Sequence, residues 1–145
     1  MSNEKNSGFT AEEIAAMKER AAELKADKGR GANKKAKGLE DLLQKIADMS
    51  QPDRGMAERI HVIVTENAPE LEAKTWYGMP AYARDGKVLV FFQPGEKFGA
   101  RYATLGFQDT ASLDEGQLWP TSWAMTGIGR AEEEQIAALV RRAVG

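Results

Sequence analysis

The sequence predicts an α+β fold: an antiparallel sheet of about four to five strands packed with helices, plus an N-terminal helix. Two observations carry this prediction. Eight of the eleven aromatic residues lie between Trp76 and Phe107, and Asp85-Gly86 sits there between two apolar runs, a strong signal for a two-residue hairpin. Segments with helical apolar spacing precede and follow this region. At 145 residues, the chain is long enough for one domain with a real core.

The composition excludes several classes of protein. A hydrophobic fraction of 42% and a charged fraction of 29% are typical of soluble globular domains. No apolar run approaches the roughly 18 residues of a membrane span, and the polar start does not resemble a signal peptide. Without cysteine, the chain has no disulfide, thiolate nucleophile or cysteine-ligated metal. A cytoplasmic location and no membrane partner are therefore expected.

The N-terminal third is predicted to be modular. Residues 1–9 form a polar tail expected to be disordered, and Thr10 with Glu13 matches a capping box that starts a helix over residues 10–26. Residues 27–38 are predicted to be a basic flexible linker before a domain at 39–145. Residues 27–38 hold five of the six basic residues of 25–37 and could contact nucleic acid or another acidic surface, but no aromatic residue is interleaved with them, so a solvated linker is favoured.

Three further helices are predicted from apolar spacing. Leu39–Met49 carries Leu39, Leu42, Leu43 and Ile46 on one face. The next begins at Pro52 and ends near Asn67, with Met56, Ile60, Ile63 and Val64 as its buried stripe. The last is Arg130–Val144. His61, the only histidine, flanks the second stripe and could be a general base or metal ligand, but a partly buried structural role is favoured.

The strands follow from the hairpin. They are predicted at Lys74–Tyr77, Pro80–Arg84, Lys87–Gln93, Arg101–Phe107 and, at one edge, Pro120–Met125, with a bend or bulge at Gly78. A turn centred on Asp85-Gly86 places Tyr82 opposite Leu89 and Pro80 opposite Phe91. Tyr82 and Phe91 should then share one sheet face.

That aromatic face has two possible roles. Helices could cover it as core, or it could remain open and bind a small molecule or a protein, with Lys97 and Arg101 at its rim. The candidate binding residues are Trp76, Tyr77, Met79, Pro80, Tyr82, Phe91, Lys97, Arg101 and Tyr102.

No residue can be nominated for catalysis or for metal binding. The sequence contains no P-loop, nucleophile elbow, HExxH or EF-hand pattern. Glu132, Glu133 and Glu134 are consecutive, and consecutive helical side chains point about 100° apart, so they cannot converge unaided on one ion. Their position in a first turn is explained by the helix dipole. An enzyme is the third-ranked interpretation.

The segments WYGMPAY, ARDGKVLVFF, KFGARYATLGF and LWPTSWAM, followed by a final helix, resemble the YdhG-like domain-of-unknown-function family of bacteria. The resemblance covers about Leu39 to Val144. It implies a compact two-layer α+β domain with a fold compared to frataxin, and some relatives are described as iron chaperones for cluster or haem assembly. Iron-handling relatives tend to carry a Lys-His pair before the fourth strand, whereas Phe98 follows Lys97 here.

The leading functional interpretation is a non-enzymatic bacterial accessory or binding protein of unassigned role, for which the resemblance suggests a frataxin-like iron carrier as one candidate. Any iron would bind weakly, on surface carboxylates, because cysteine is absent and His61 stands alone. The alternative is a module whose aromatic sheet face binds a small molecule or a protein. A monomer or a weak homodimer is expected, and nucleic acid is not expected as a partner.

Overall fold

The computed structural model of the chain describes residues 8–30 and 34–145, and of residues 27–30 only the backbone. The described elements confirm the α+β class. They are helices α1 (Ala11–Arg30), α2 (Lys34–Ala47) and α3 (Asp53–Asn67), strands β1 (Glu72–Trp76), β2 (Met79–Arg84), β3 (Lys87–Gln93), β4 (Ala103–Phe107) and β5 (Ser122–Met125), and helix α4 (Arg130–Ala143).

The N-terminal region differs from its prediction in the extent of helix. The capping box is confirmed, since the Glu13 N–H donates to the Thr10 hydroxyl at 3.0 Å and the Thr10 N–H donates to the Glu13 carboxylate at 2.8 Å. Residues 27–30 and 34–38, predicted as linker, are helical. Lys, Arg and Ala favour helix, whereas Gly29 and Gly38 disfavour it. Gly38 is buried against the Ala73 carbonyl of β1, so this part of the helix packs on the sheet. Residues 31–33 of the predicted linker and 1–7 of the predicted tail lie outside the described residues.

The helix stripes are confirmed in α3 and in part in α2. In α3, Met56, Ile60, Ile63 and Val64 are buried, and the helix lies between Pro52 and Pro69 as predicted. In α2, Leu42 and Ile46 are buried, whereas Leu39 and Leu43 are 40% and 44% exposed. The packed side of α2 is therefore narrower than its apolar face.

The strands form one antiparallel meander in the order β1-β2-β3-β4-β5. Both of its first two connections are two-residue loops with positive φ at each position: Tyr77 (53°) and Gly78 (74°) between β1 and β2, and Asp85 (54°) and Gly86 (80°) between β2 and β3. This is the geometry of a type I′ turn. The Asp85-Gly86 prediction is confirmed, and the bend predicted at Gly78 is a second turn of the same kind.

The predicted β2–β3 register is wrong beyond the first two pairs. Ala83 pairs with Val88, but a bulge follows and Tyr82 pairs with Val90 and Ala81 with Phe91. The extra residue, Leu89, shifts all later side chains of β3 to the other face, because side chains alternate along a strand. Tyr82 and Phe91 therefore lie on opposite faces.

One sheet face carries the core. Tyr82, Val90, Phe92, Leu105 and Phe107 on this face join buried residues of α2, α3 and α4 in a single apolar cluster. On the opposite face the Phe91 ring lies over Gly106, where an added Cβ would come within 2.2 Å of the ring. Among the described residues, no helix has the length and apolarity needed to cross a membrane.

Candidate ligand-binding sites

The predicted binding residues divide into three groups. Trp76, Tyr77 and Phe91 form a half-buried aromatic cluster, with the Trp76 ring centroid 5.0 Å from that of Tyr77 and 5.3 Å from that of Phe91. Arg101 and Tyr102 are exposed, and the guanidinium lies 5.2 Å from the Tyr102 ring centroid. Of the four remaining candidates, Met79, Pro80 and Tyr82 are buried and Lys97 is half-buried.

Met79, Pro80 and Tyr82 are buried, so they cannot form an open surface with Phe91. Tyr82 belongs to the apolar core cluster, and Pro80, two residues away on the same strand, shares its face. The single aromatic face predicted from the sequence is therefore absent from the described structure. The bulge at Leu89 is the physical reason.

Tyr82 instead meets His61 at the wall of a cleft formed by α2, α3 and β1. The Tyr82 hydroxyl and the His61 Nδ1 atom are 2.9 Å apart, and the two rings stack with centroids 5.9 Å apart. The cleft has a volume of about 340 Å³. Its apolar wall includes Leu39, Val64 and Leu71, and its polar rim includes Lys35 and Glu72, which form a 3.4 Å ion pair. We call this the His61–Tyr82 cleft.

Burial keeps both members of the pair neutral. It raises the pKa of the Tyr82 phenol, which disfavours the phenolate, and it lowers the pKa of His61, which disfavours the imidazolium. The prediction that His61 is partly buried is confirmed. Because Nδ1 is used in the bond to Tyr82, Nε2 is the ring atom left to meet a ligand, as donor or acceptor according to the tautomer.

A second site surrounds the Tyr77-Gly78 loop. The loop N–H groups donate to the two carboxylate oxygens of Glu23 from α1, each at 3.0 Å. One turn earlier in α1, the two oxygens of Glu19 accept hydrogen bonds from the Lys45 and Lys97 ammonium groups. The loop N–H groups of Tyr77 and Gly78 and the ammonium groups of Lys45 and Lys97 are together called the oxyanion cradle.

The two halves of the cradle adjoin at Gly78. A Cβ added there would lie 2.5 Å from both carboxylate oxygens of Glu19, so a larger residue would require the Glu19 side chain to move. Burial raises the pKa of Glu19, but the hydrogen bonds and charges of Lys45 and Lys97 outweigh it and bring the pKa below its ordinary value. Arg20 lies 3.4 Å from Glu23 and adds positive charge beside the loop.

Sequence reasoning placed Tyr77 and Lys97 among the candidates but missed the cradle. Glu19, Glu23 and Lys45 lie far from the hairpin in sequence, and a lone Glu-x-x-x-Glu spacing on a helix is ordinary. The available signal was the Tyr77-Gly78 pair itself. These two residues separate two strand-like runs, and a two-residue separation is typical of a hairpin loop.

The described residues contain no group of three or more His, Cys, Asp or Glu side chains that could hold a metal ion. Of the three consecutive acids in α4, Glu132 accepts the Gly129 N–H at 2.7 Å and Glu133 pairs with Arg59 at 2.9 Å. Both therefore have structural partners.

No protein-family model, curated protein or solved structure matches the chain.

Proposed function

We propose that the protein is a non-enzymatic accessory protein that binds a small uncharged molecule in the His61–Tyr82 cleft. The observation that carries the proposal is the hydrogen bond between the only histidine and a buried tyrosine at the wall of a cavity. Small-molecule sites are commonly concave and mainly apolar, with a few convergent polar groups and volumes of about 300–1,000 Å³. The cleft meets each of these conditions.

The charges of the cleft favour an uncharged ligand. His61 and Tyr82 are neutral at pH 7, because burial moves both pKa values away from the charged forms. At the rim, Glu72 opposes the charge of Lys35, and Glu70 adds a further carboxylate, so an anionic ligand is disfavoured. An apolar ligand body would contact Leu39, Val64 and Leu71, while one polar group would meet His61.

The iron-carrier interpretation draws no support from the arrangement of side chains. Iron on oxygen donors needs several converging carboxylates, and no such group occurs in the described residues. The small-molecule interpretation is therefore preferred, and it moves from the predicted sheet face to the cleft.

Benzamide and benzoate provide a matched pair of probes, because they share a shape and differ in charge. We expect benzamide to shift the NMR signals of the His61 ring and of the Leu39, Val64 and Leu71 methyl groups, with benzoate at least tenfold weaker. Tyr82→Phe should weaken benzamide binding by about tenfold, because His61 loses the hydrogen bond at Nδ1 that orients its ring toward the ligand. Tyr102→Phe, at an exposed tyrosine outside the cleft, is the control.

Equal shifts from both probes would contradict the proposed ligand class. Absence of any shift in the cleft at millimolar benzamide would contradict this ligand site. A parallel anaerobic titration with Fe²⁺ by calorimetry tests the iron carrier, and tight iron binding together with silent probes would favour that function instead.

A further inference from the structure

The Tyr77-Gly78 loop presents two adjacent backbone donors. In a two-residue hairpin, the flanking residues, here Trp76 and Met79, make the last strand pair. The N–H groups within the loop therefore need another partner. Successive N–H groups in a turn form a concavity that suits an anion, and the Glu23 carboxylate occupies it at 3.0 Å from each nitrogen.

The two lysines of the cradle come from two different elements of the fold. Lys45 comes from α2, and Lys97 comes from the loop between β3 and β4. Both are partly buried, with side chains 37% and 29% exposed, and both point to one carboxylate, that of Glu19. Two lysines converging on one point favour an anion there, whatever molecule supplies it.

The docked face of helix α1 is largely polar. Ala16 is buried and Ile14 is half-buried, but Met17 and Leu24 are 37% and 48% exposed, and none of its described residues belongs to the main apolar cluster. A helix docked for stability normally turns its apolar stripe to the core. Here α1 directs two carboxylates inward, and partly exposed ion pairs are each worth about 1 kcal/mol or less.

We propose that the oxyanion cradle is a binding site for a small molecule with two oxyanion groups, and that α1 occupies it as an internal mimic of that ligand. Glu19 and Glu23 stand four residues apart, so their positions rise about 6 Å along the helix. The ligand therefore carries its two carboxylate or phosphate groups at about this separation. This inference does not rest on the cleft function.

The cradle has room for more than the two anionic groups. A cavity of about 290 Å³ adjoins it, and its lining includes Lys45, Gly78 and Lys97. Three acidic residues also line this cavity, Asp48, Asp53 and Glu96. Each already accepts a hydrogen bond: Asp48 from the Gln44 amide at 2.9 Å, Asp53 from the Glu96 N–H at 3.1 Å, and Glu96 from the Ser50 hydroxyl. Their charges favour a position of the ligand's anionic groups beside the two lysines.

The test uses the full chain and two probes with paired terminal charges, glutarate and inorganic tripolyphosphate. Acetate is the single-charge control. Glu19→Gln/Glu23→Gln removes both internal charges while keeping helix-forming residues, so at least one probe should bind about tenfold tighter than to the wild type. Binding should shift the backbone amide signals of Tyr77 and Gly78. Comparing the two probes distinguishes a carboxylate site from a phosphate site.

Lys97→Gln in the Glu19→Gln/Glu23→Gln background should abolish the gain, whereas Lys87→Gln, at an exposed strand position, should not. If the double variant fails to fold, Glu19→Gln alone provides the same comparison. The proposal is overturned if neither probe binds the Glu19→Gln/Glu23→Gln variant more tightly, if Lys97→Gln has no effect, or if acetate binds as well as glutarate. None of these outcomes depends on benzamide binding in the cleft.

Discussion

The two hairpin loops of the sheet share a backbone geometry and differ in what surrounds it. Asp85-Gly86 has positive φ at both residues, and nothing lies within 4 Å of a Cβ placed on Gly86. Tyr77-Gly78 has the same signs of φ, but Gly78 is buried against Glu19 and both loop N–H groups are bound by Glu23. The first loop only reverses the chain, whereas the second also holds a carboxylate.

Their sequences differ accordingly. Aspartate tolerates the left-handed region well, so Asp-Gly is suited to the turn itself. A tyrosine at φ 53° is uncommon and costs on the order of 1 kcal/mol. The contacts of the Tyr77 ring with Trp76 and with the Arg20 guanidinium, 6.0 Å from its centroid, help to offset that cost. Strain at a loop that binds an anion supports a binding role for that loop.

The largest expected difference between the loops comes from placing valine at each glycine. Gly86→Val should lower the free energy of unfolding by about 1–3 kcal/mol, because a β-branched residue is strained at positive φ. Gly78→Val should lower the free energy of unfolding by about 1 kcal/mol more than Gly86→Val does. The added Cβ would also displace the Glu19 carboxylate from its hydrogen bonds with Lys45 and Lys97. Urea denaturation of both variants measures the difference. Equal losses would show that Glu19 does not rest on Gly78 in solution.

Local chemistry made much of this fold predictable. The Asp85-Gly86 turn, the capping box at Thr10 and the buried stripe of α3 each depend on residues close together in sequence. The same holds for the fold class, which follows from the order of helical and strand-like segments. These features needed no knowledge of distant contacts.

The sites depend on contacts that are distant in sequence. The bulge at Leu89 has no glycine or proline to mark it, and it moved Phe91 to the face opposite Tyr82. The pairing of His61 with Tyr82 depends on how α3 packs on the sheet, and the cradle depends on how α1 docks. Tertiary packing determines both the His61–Tyr82 pair and the cradle, and the apolar periodicity within a single segment carries no information about that packing.

Amide hydrogen exchange should distinguish the two loops without altering either. The Tyr77 and Gly78 N–H groups are bonded to Glu23, so we expect them to exchange at least about tenfold more slowly than those of Asp85 and Gly86, after correction for sequence. Glu23→Ala should erase the difference, and Glu12→Ala, on the exposed first turn of α1, should preserve it. Rapid exchange at both loops in the wild type would mean that α1 is largely undocked.

The smallest expected effect is on pH dependence, and it concerns only the occupied loop. The pKa of Glu19 is lowered from its ordinary value of 4.5, so the unfolded chain takes up the proton first as pH falls. The stabilisation by Glu19 is therefore complete above about pH 4.5 and is lost as pH falls through its lower, folded-state pKa. Wild type and Glu19→Gln should differ by about 1 kcal/mol or less near pH 6 and converge as pH falls below the folded-state pKa of Glu19. Urea denaturation across this range measures both, with Glu12→Gln as the control for a carboxylate on the same helix. If wild type and Glu19→Gln still differ in their free energy of unfolding at the lowest pH, Glu19 stabilises α1 by packing against Gly78 rather than by its charge. The two loops would then differ in shape and not in electrostatics.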